Sequence, residues 1–270
     1  MPELPEVETV KNDLIPLVVG RKVTGVNLLW EGIVRKITPN EFREGLTGRK
    51  IQGIKRRGKY LLFGLNGGET LIAHLKMSGA LIAGNCDTKK EKYARAVLQF
   101  DDGTCVIFRD PRKFGRMWLV KDTSTIIGEL GPEPLEDDFT PGLLAQRLKG
   151  RKAPIKALIC DQHIIAGVGN LYADEALFMA KIHPLSLGGG ISAQRIKRLH
   201  DAIIQVLRKG IKNKGASIEN YVRPDGNPGT AHLKFLMPRK AGTPCTRCGT
   251  PVERITVRGR GTYFCPKCQR

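Results

Sequence analysis

Apolar positions change their period twice along the chain. Val7, Val10 and Leu14 recur at helical spacing after Pro5, which predicts a short opening helix. From about residue 21 to 121 the texture becomes short runs rich in β-branched and aromatic residues, at 22–29, 50–54, 60–65, 70–75, 94–100 and 104–108. Turns such as Asn66-Gly67-Gly68 and Asp101-Asp102-Gly103 separate them, which predicts an antiparallel β-sandwich or barrel. Helical period returns in the second half. Ile196, Leu199, Ile203, Val206 and Leu207 make one apolar stripe on a helix begun by Ser192, and shorter helices are expected at 153–160 and 171–181. Between the two textures, residues 128–138 (GELGPEPLEDD) hold five acids and no base and read as a linker. The expected organisation is an N-terminal β-sandwich over 1–121, a linker over 122–150, a helical domain over 151–236 and a terminal module over 237–270.

At 270 residues and 41% hydrophobic content, the chain can build more than one core. No apolar run reaches the ~18 residues that span a bilayer. Glu3, Glu6 and Glu8 stand where a signal peptide would be basic and then apolar, so the cytoplasm is expected. The net charge of +19 changes the picture by asking for a polyanionic partner. Ribosomal and membrane-surface proteins are also basic, so charge alone does not single out DNA. The surplus is uneven: residues 208–270 hold fourteen Lys and Arg against three acids.

Seven cysteines fall into two kinds. Cys86, Cys105 and Cys160 are isolated and read as buried or incidental thiols. Cys245-x2-Cys248 and Cys265-x2-Cys268, sixteen residues apart, have the spacing of two knuckles that present four thiolates to one Zn²⁺. Two disulfides are the alternative, which an intracellular setting disfavours. Four thiolates leave no open position for water, so the ion would be structural. Between the knuckles lie Arg254, Arg258 and Arg260, with glycines flanking the last. That is either a phosphate grip or a solvated basic turn.

Gly167-Val168-Gly169-Asn170 lacks the third glycine and preceding strand of a dinucleotide fingerprint. It suits a phosphate at a helix N-terminus, with Lys156 adding charge, or an ordinary Gly-rich connection. Met1-Pro2 is the remaining oddity. Methionine removal before a small residue would expose Pro2 as a secondary amine. A useful fraction of such an amine is neutral near pH ~8 and able to attack a sugar C1′. Glu3 and Glu6 stand beside it as proton donor and anchor. Taken by themselves, these residues describe no more than a processed N-terminus.

Taken together, the motifs resemble one family. Pro2-Glu3-Leu4-Pro5-Glu6, Arg57-Gly58-Lys59-Tyr60, His74-Leu75-Lys76-Met77-Ser78-Gly79, Asp110-Pro111-Arg112-Lys113-Phe114-Gly115, the turn at 167–170 and Gly259-Arg260-Gly261-Thr262 are similar to formamidopyrimidine-DNA glycosylases, in order along the whole chain. The resemblance implies an α+β multidomain fold: a β-sandwich with an N-terminal helix, then a helix–two-turn–helix and a zinc finger. It implies excision of oxidised purines from duplex DNA by a monomeric enzyme with one structural Zn²⁺ on Cys245, Cys248, Cys265 and Cys268. Pro2 would be the nucleophile that forms a Schiff base and Glu3 the general acid. Lys59 would assist β-elimination and Arg260 the following δ-elimination, with Glu6 as anchor. Met77, Arg112 and Phe114 would fill the void left by the flipped nucleotide. His74, Arg95, Arg151, Lys156 and Asn170 would contact DNA.

Two segments depart from the family pattern. Tyr93-Ala94-Arg95 stands where a His-x-His element is expected, leaving Arg95 as the phosphate contact, and Met237-Pro238-Arg239-Lys240 replaces an aromatic-Gly-Arg step. No contacts are assigned to the lesion-capping segment at 217–229. Two other readings compete: an endonuclease VIII-like enzyme acting on oxidised pyrimidines, against which Leu4 and the 110–115 motif speak, and a non-catalytic zinc-ribbon DNA-binding protein, which would not need Pro2, Glu3 and Lys59 together.

Overall fold

The computed structural model describes residues 1–86 and 91–270. The opening helix is α1 (Leu4–Val18), begun by Pro5 in its first turn and burying Val7, Val10, Leu14 and Val18 along one face. Among the described residues eight strands follow: β1 (Val23–Leu28), β2 (Ile51–Arg57), β3 (Tyr60–Leu65), β4 (Thr70–His74), β5 (Ala80–Asn85), β6 (Ala94–Phe100), β7 (Thr104–Arg109) and β8 (Arg116–Val120). They form two antiparallel sheets, ordered β1-β6-β7-β5 and β2-β3-β4-β8. Alternate residues of β3 point inward, and Leu61, Phe63 and Leu65 share one core with Leu98, Phe100 and Phe108 of the other sheet and with the apolar face of α1.

Three elements of this half were not predicted. β5 (ALIAGN) is too rich in Ala and Gly to carry a strand signal, and β8 is set off by the 110–115 loop. Helix α2 (Pro39–Leu46) did have a signature. Thr38 accepts from the Glu41 N–H at 3.2 Å, and the Glu41 carboxylate accepts from the Thr38 N–H at 2.7 Å, a capping box followed by Pro at the first turn.

Besides short 3-10 turns, the remaining helices and strands among the described residues are α3 (Ser124–Ile127), α4 (Pro141–Leu148), α5 (Ile155–Ile159), α6 (Asn170–Ala180), α7 (Ala193–Lys212), β9 (Glu253–Val257) and β10 (Arg260–Phe264). Helix α4 lies inside the stretch expected to be a linker. Thr140 caps it by accepting from the Leu143 N–H at 3.1 Å, and Leu144 and Leu148 are buried, so 122–150 is not linker throughout.

The chain divides into two compact units, Met1–Gly128 with Ile211–His232, and Glu129–Gly210 with Leu233–Arg270. The segment at 211–232, expected with the helices, belongs to the sandwich: Tyr221 enters its core, and the Ala83 N–H donates to the Pro224 carbonyl at 2.9 Å. The cysteine module shares the second unit with α4–α6. Its small core joins Phe178 of α6 to Met237, Cys245, Val252 and Cys265.

Candidate active site

In the first unit, Pro2 and Glu3 are buried just ahead of α1. Glu6, itself 1% exposed, anchors them. Its Oε2 accepts from the Glu3 N–H at 2.8 Å and its Oε1 from the Ala216 N–H at 2.7 Å. The Tyr221 hydroxyl closes the same corner by donating to the Lys214 carbonyl at 3.2 Å.

Lys59 sits in the two-residue turn between paired Arg57 and Tyr60, where Gly58 takes the left-handed φ of +56° that a side chain would resist. Lys59 is 5% exposed. His74 pairs opposite Tyr60 across β3 and β4, and their rings meet edge-on at 4.5 Å. Its Nδ1 accepts from the Lys76 N–H at 2.9 Å, which leaves Nε2 carrying the proton as a donor. Burial, then the charges of Lys76 and Lys59, push His74 down to about 3, so the ring is neutral.

The two loops singled out by sequence share one device. Lys76 and Lys113 are left-handed, at φ +53° and +59°, and each is followed by an outward-turned apolar side chain, Met77 and Phe114. Both loops hang on Asp110, which is fully buried. Its carboxylate accepts from the Ser78 hydroxyl, from the Arg112 N–H at 3.2 Å and from the Gly115 N–H at 2.7 Å. A Cβ at Gly115 would lie 2.5 Å from the Phe108 ring, so glycine is required there. The Arg112 guanidinium stacks 4.7 Å from the Phe114 ring centre. Arg95 has a use that the sequence did not suggest. Its Nε donates to the Asp110 carbonyl at 2.7 Å, so part of its expected phosphate role is given over to holding this loop. Met77, Phe114, Lys76, Arg35 and Arg116 line a cavity of about 600 Å³ into which Met1 also projects. The cations press on one another there: burial and then Arg116 lower Lys76, and burial and then Arg35 lower Arg116.

In the second unit, the 167–170 turn leads into α6. Gln162 clamps it, accepting from the Gly167 N–H at 2.9 Å and donating to the Val168 carbonyl at 2.9 Å. Asn170 opens the helix, and its Nδ2 donates to the Gly261 carbonyl at 3.0 Å, which ties the turn to the β9–β10 hairpin. Arg258 and Gly259 both take positive φ, 44° and 76°, in the two-residue turn of that hairpin, and Arg260 stands exposed at its tip.

Lys156 corrects the sequence reading. Expected as a DNA contact, it is 1% exposed, and its ammonium donates to the Asn170 carbonyl at 2.9 Å and to the Asp174 carboxylate. It supports the turn from beneath. Arg151 is exposed past the end of α4, and among the described residues no hydrogen bond or ion pair joins it to Asn170 or Arg260. Sequence reasoning passed over Asp174 and Glu175, whose signal was two adjacent acids inside an apolar helix. Asp174 also binds Arg239 at 3.1 Å, and Glu175 accepts from the Leu236 and Met237 N–H groups at 2.8 Å each. Burial pushes Glu175 up to about 7 against those two bonds.

Cys245, Cys248, Cys265 and Cys268 bring their sulfurs within 4.8 Å of one another, and Cys248 and Cys265 are 3.5 Å apart. Tetrahedral Zn–S bonds of ~2.3 Å separate sulfurs by roughly 3.8 Å, so the cluster fits one Zn²⁺. The Arg247 N–H faces the Cys245 sulfur, and the Cys268 N–H faces that of Cys265, both at 3.4 Å, as thiolate acceptors require.

These features recur in known proteins. Residues 1–117 match the formamidopyrimidine-DNA glycosylase N-terminal domain, 130–222 the H2TH domain of the same enzymes, and 242–270 the zinc finger found in FPG and IleRS. The formamidopyrimidine-DNA glycosylase of Chloroflexus aurantiacus is 47% identical over all of this chain and 98% of its own. That of Geobacillus kaustophilus is 40% identical over the whole of both. Among solved structures, a Lactococcus lactis FPG mutant bound to Fapy-dG-containing DNA superposes with a TM-score of 0.93 at 37% identity over 100% of both chains. The MutM (FPG) protein of Thermus thermophilus gives 0.90 at 39%, over 99% of this chain and 98% of its own. With three successive domain matches and full-length relatives at this identity, the chain belongs to the formamidopyrimidine-DNA glycosylase family of base-excision repair.

Proposed function

We propose that this glycosylase excises oxidised purines, 8-oxoguanine and formamidopyrimidines, from duplex DNA and then cleaves the strand, acting as a monomer in the bacterial cytoplasm. The neutral Pro2 amine attacks C1′, the bond from C1′ to the base breaks, and the base leaves with a proton. The C1′–O4′ bond then opens as O4′ takes a proton, and an iminium links Pro2 to the ring-opened sugar. Glu3, buried beside Pro2, serves as general acid at the deoxyribose. Lys59 contacts phosphate and assists β-elimination of the 3′ phosphate. Arg260 grips the flanking phosphates and donates a proton in the δ-elimination of the 5′ phosphate. Water then releases the sugar fragment from Pro2, leaving a one-nucleoside gap with phosphate on both ends. Met77 and Phe114 wedge the stack while Arg112 reads the orphaned base. The zinc ion holds the β9–β10 hairpin and takes no part in the chemistry.

The observation that carries this reading is the position of Met1. It lines the same cavity as Met77 and Phe114, so its removal leaves the Pro2 amine opening beside the side chains that wedge the duplex. A retained Met1 would make that nitrogen an amide without a nucleophilic lone pair. The test is borohydride trapping on a duplex with 8-oxoguanine opposite cytosine. The mature protein is expected to form a covalent complex, and Pro2→Gly to lose most of it. Absent trapping in the wild type, or undiminished trapping in the variant, would overturn the assignment.

A further inference from the structure

We propose that the second unit carries another phosphodiester-binding site, beside the cysteine knuckles, which takes a further segment of duplex DNA. A concavity of about 470 Å³ is lined by Lys181, Arg195, Arg198, Arg247, Lys267 and Arg270, with Cys248 and Cys268 in its wall. Among the described residues, the acidic side chains seen in ion pairs in this unit serve other groups, Lys156 and Arg239 on Asp174 and His200 on Asp201, and none of the six.

The site is remote from the Asn170–Arg260 clamp. Asn170 begins α6 and Lys181 caps its other end, eleven residues later, which is roughly 16 Å at 1.5 Å per residue. Arg260 is at the tip of the β9–β10 hairpin, whereas Cys248 and Cys268 are at its base, five residues of strand away, again about 16 Å. Two of the cations are also fixed in place: Arg247 lies 4.5 Å over the Phe178 ring and donates to its carbonyl at 3.2 Å, and Arg195 donates to the main-chain oxygen of Arg270. A plainer account is that they neutralise the zinc centre and the end of α6. A zinc tetrathiolate carries two negative charges and a helix C-terminus about one half, and the main-chain oxygen of Arg270 occupies Arg195, which leaves more than two positive charges over.

The lining also selects the occupant. It holds no apolar side chain besides the cysteines, and Phe178 is 1% exposed beneath Arg247. It therefore offers neither an anchor pocket for a peptide nor a face for base stacking. Four guanidinium groups in one concavity suit phosphate oxygens. A protein that grips one duplex at Asn170 and Arg260 can in this way hold a neighbouring segment and pass between the two.

The test saturates the zinc-loaded protein with a short duplex containing an uncleavable abasic analogue, then titrates in a labelled undamaged duplex and follows a ternary complex by sedimentation. Failure of the first complex to form would indict the proposed lesion reading and not this one. The wild type is expected to bind the second duplex with steep salt dependence. Lys181→Asn/Arg195→Gln/Arg198→Gln should weaken that step at least tenfold and flatten its log–log salt slope by about 2 to 3. Lesion-duplex affinity, cleavage rate and zinc content should be unchanged, and Arg195→Lys/Arg198→Lys should retain the step. No ternary complex at low salt, or equal binding by the triple variant, would overturn the proposal. So would displacement by tripolyphosphate at concentrations where a charge-matched duplex has no effect, or preference for an acidic peptide.

Discussion

Glu6 and Ala216 are joined across 210 positions by a 2.7 Å hydrogen bond from backbone N–H to buried carboxylate. The other oxygen of Glu6 holds the Glu3 N–H, so one side chain sets the N-terminal residues and the start of the 217–229 segment against each other. Glu6→Gln keeps the shape and one acceptor, but its amide must then face an N–H. One unsatisfied buried donor costs about 1–3 kcal/mol. The variant should melt several degrees lower and lose Schiff-base trapping out of proportion to DNA affinity. Wild-type trapping and melting in the variant would show that the tether is incidental.

Asp110 supports a second prediction. It accepts three hydrogen bonds from the two loops that carry Met77, Arg112 and Phe114, and an asparagine can accept from only one side of its amide. Asp110→Asn should slow excision of 8-oxoguanine, which needs the base extruded, while strand cleavage at a preformed abasic site changes little. Equal slowing on both substrates would place the defect in chemistry instead of extrusion.

How much could be read beforehand follows from what each residue signals. The sandwich, α1 and the four cysteines were legible because period, turn residues and ligand spacing are local. Asp110 was visible inside its motif, but its work was not, since Ser78 reaches it from another loop and burial has no sequence signature. Lys156 misled for the converse reason: a lysine near a Gly-rich turn looks like a phosphate contact until Asp174, eighteen residues on, takes its charge. Arg95, set where the family pattern has histidine, turned out to brace the Asp110 carbonyl.

Two buried titrating groups should make the units respond oppositely to pH. His74 sits near 3 against an ordinary 6.5, so between those values the unfolded chain binds a proton that the folded one refuses. Its contribution to the first unit therefore grows as pH rises through 3 to 6.5, by up to about 5 kcal/mol. Glu175 sits near 7 against 4.5, so there the folded chain holds the extra proton. Its contribution to the second unit falls as pH rises through 4.5 to 7, by up to about 3 kcal/mol. Calorimetry between pH 4.5 and 6.5 should show His74→Gln flattening one transition and Glu175→Gln flattening the other in the opposite sense. If neither substitution altered the pH dependence, these groups would not be buried as described.

The β9–β10 hairpin has two strands of five residues, and the module that carries it packs on α6 through a core of only five buried side chains, two of them zinc cysteines. A lone two-stranded hairpin is marginal in water, so chelation should release its tip. That would remove Arg260 from the phosphates and the Gly261 carbonyl from Asn170 together. Charge-assisted hydrogen bonds are worth about 1.5–3 kcal/mol each, so affinity for a lesion duplex should fall at least about 100-fold. Arg260→Ala, with zinc bound, should lose less and flatten the log–log salt slope by about 1. The β-sandwich shares no ligand with the zinc site, and its circular dichroism and thermal transition should survive chelation. Tight lesion binding by the zinc-free protein would mean that the hairpin is not the phosphate clamp.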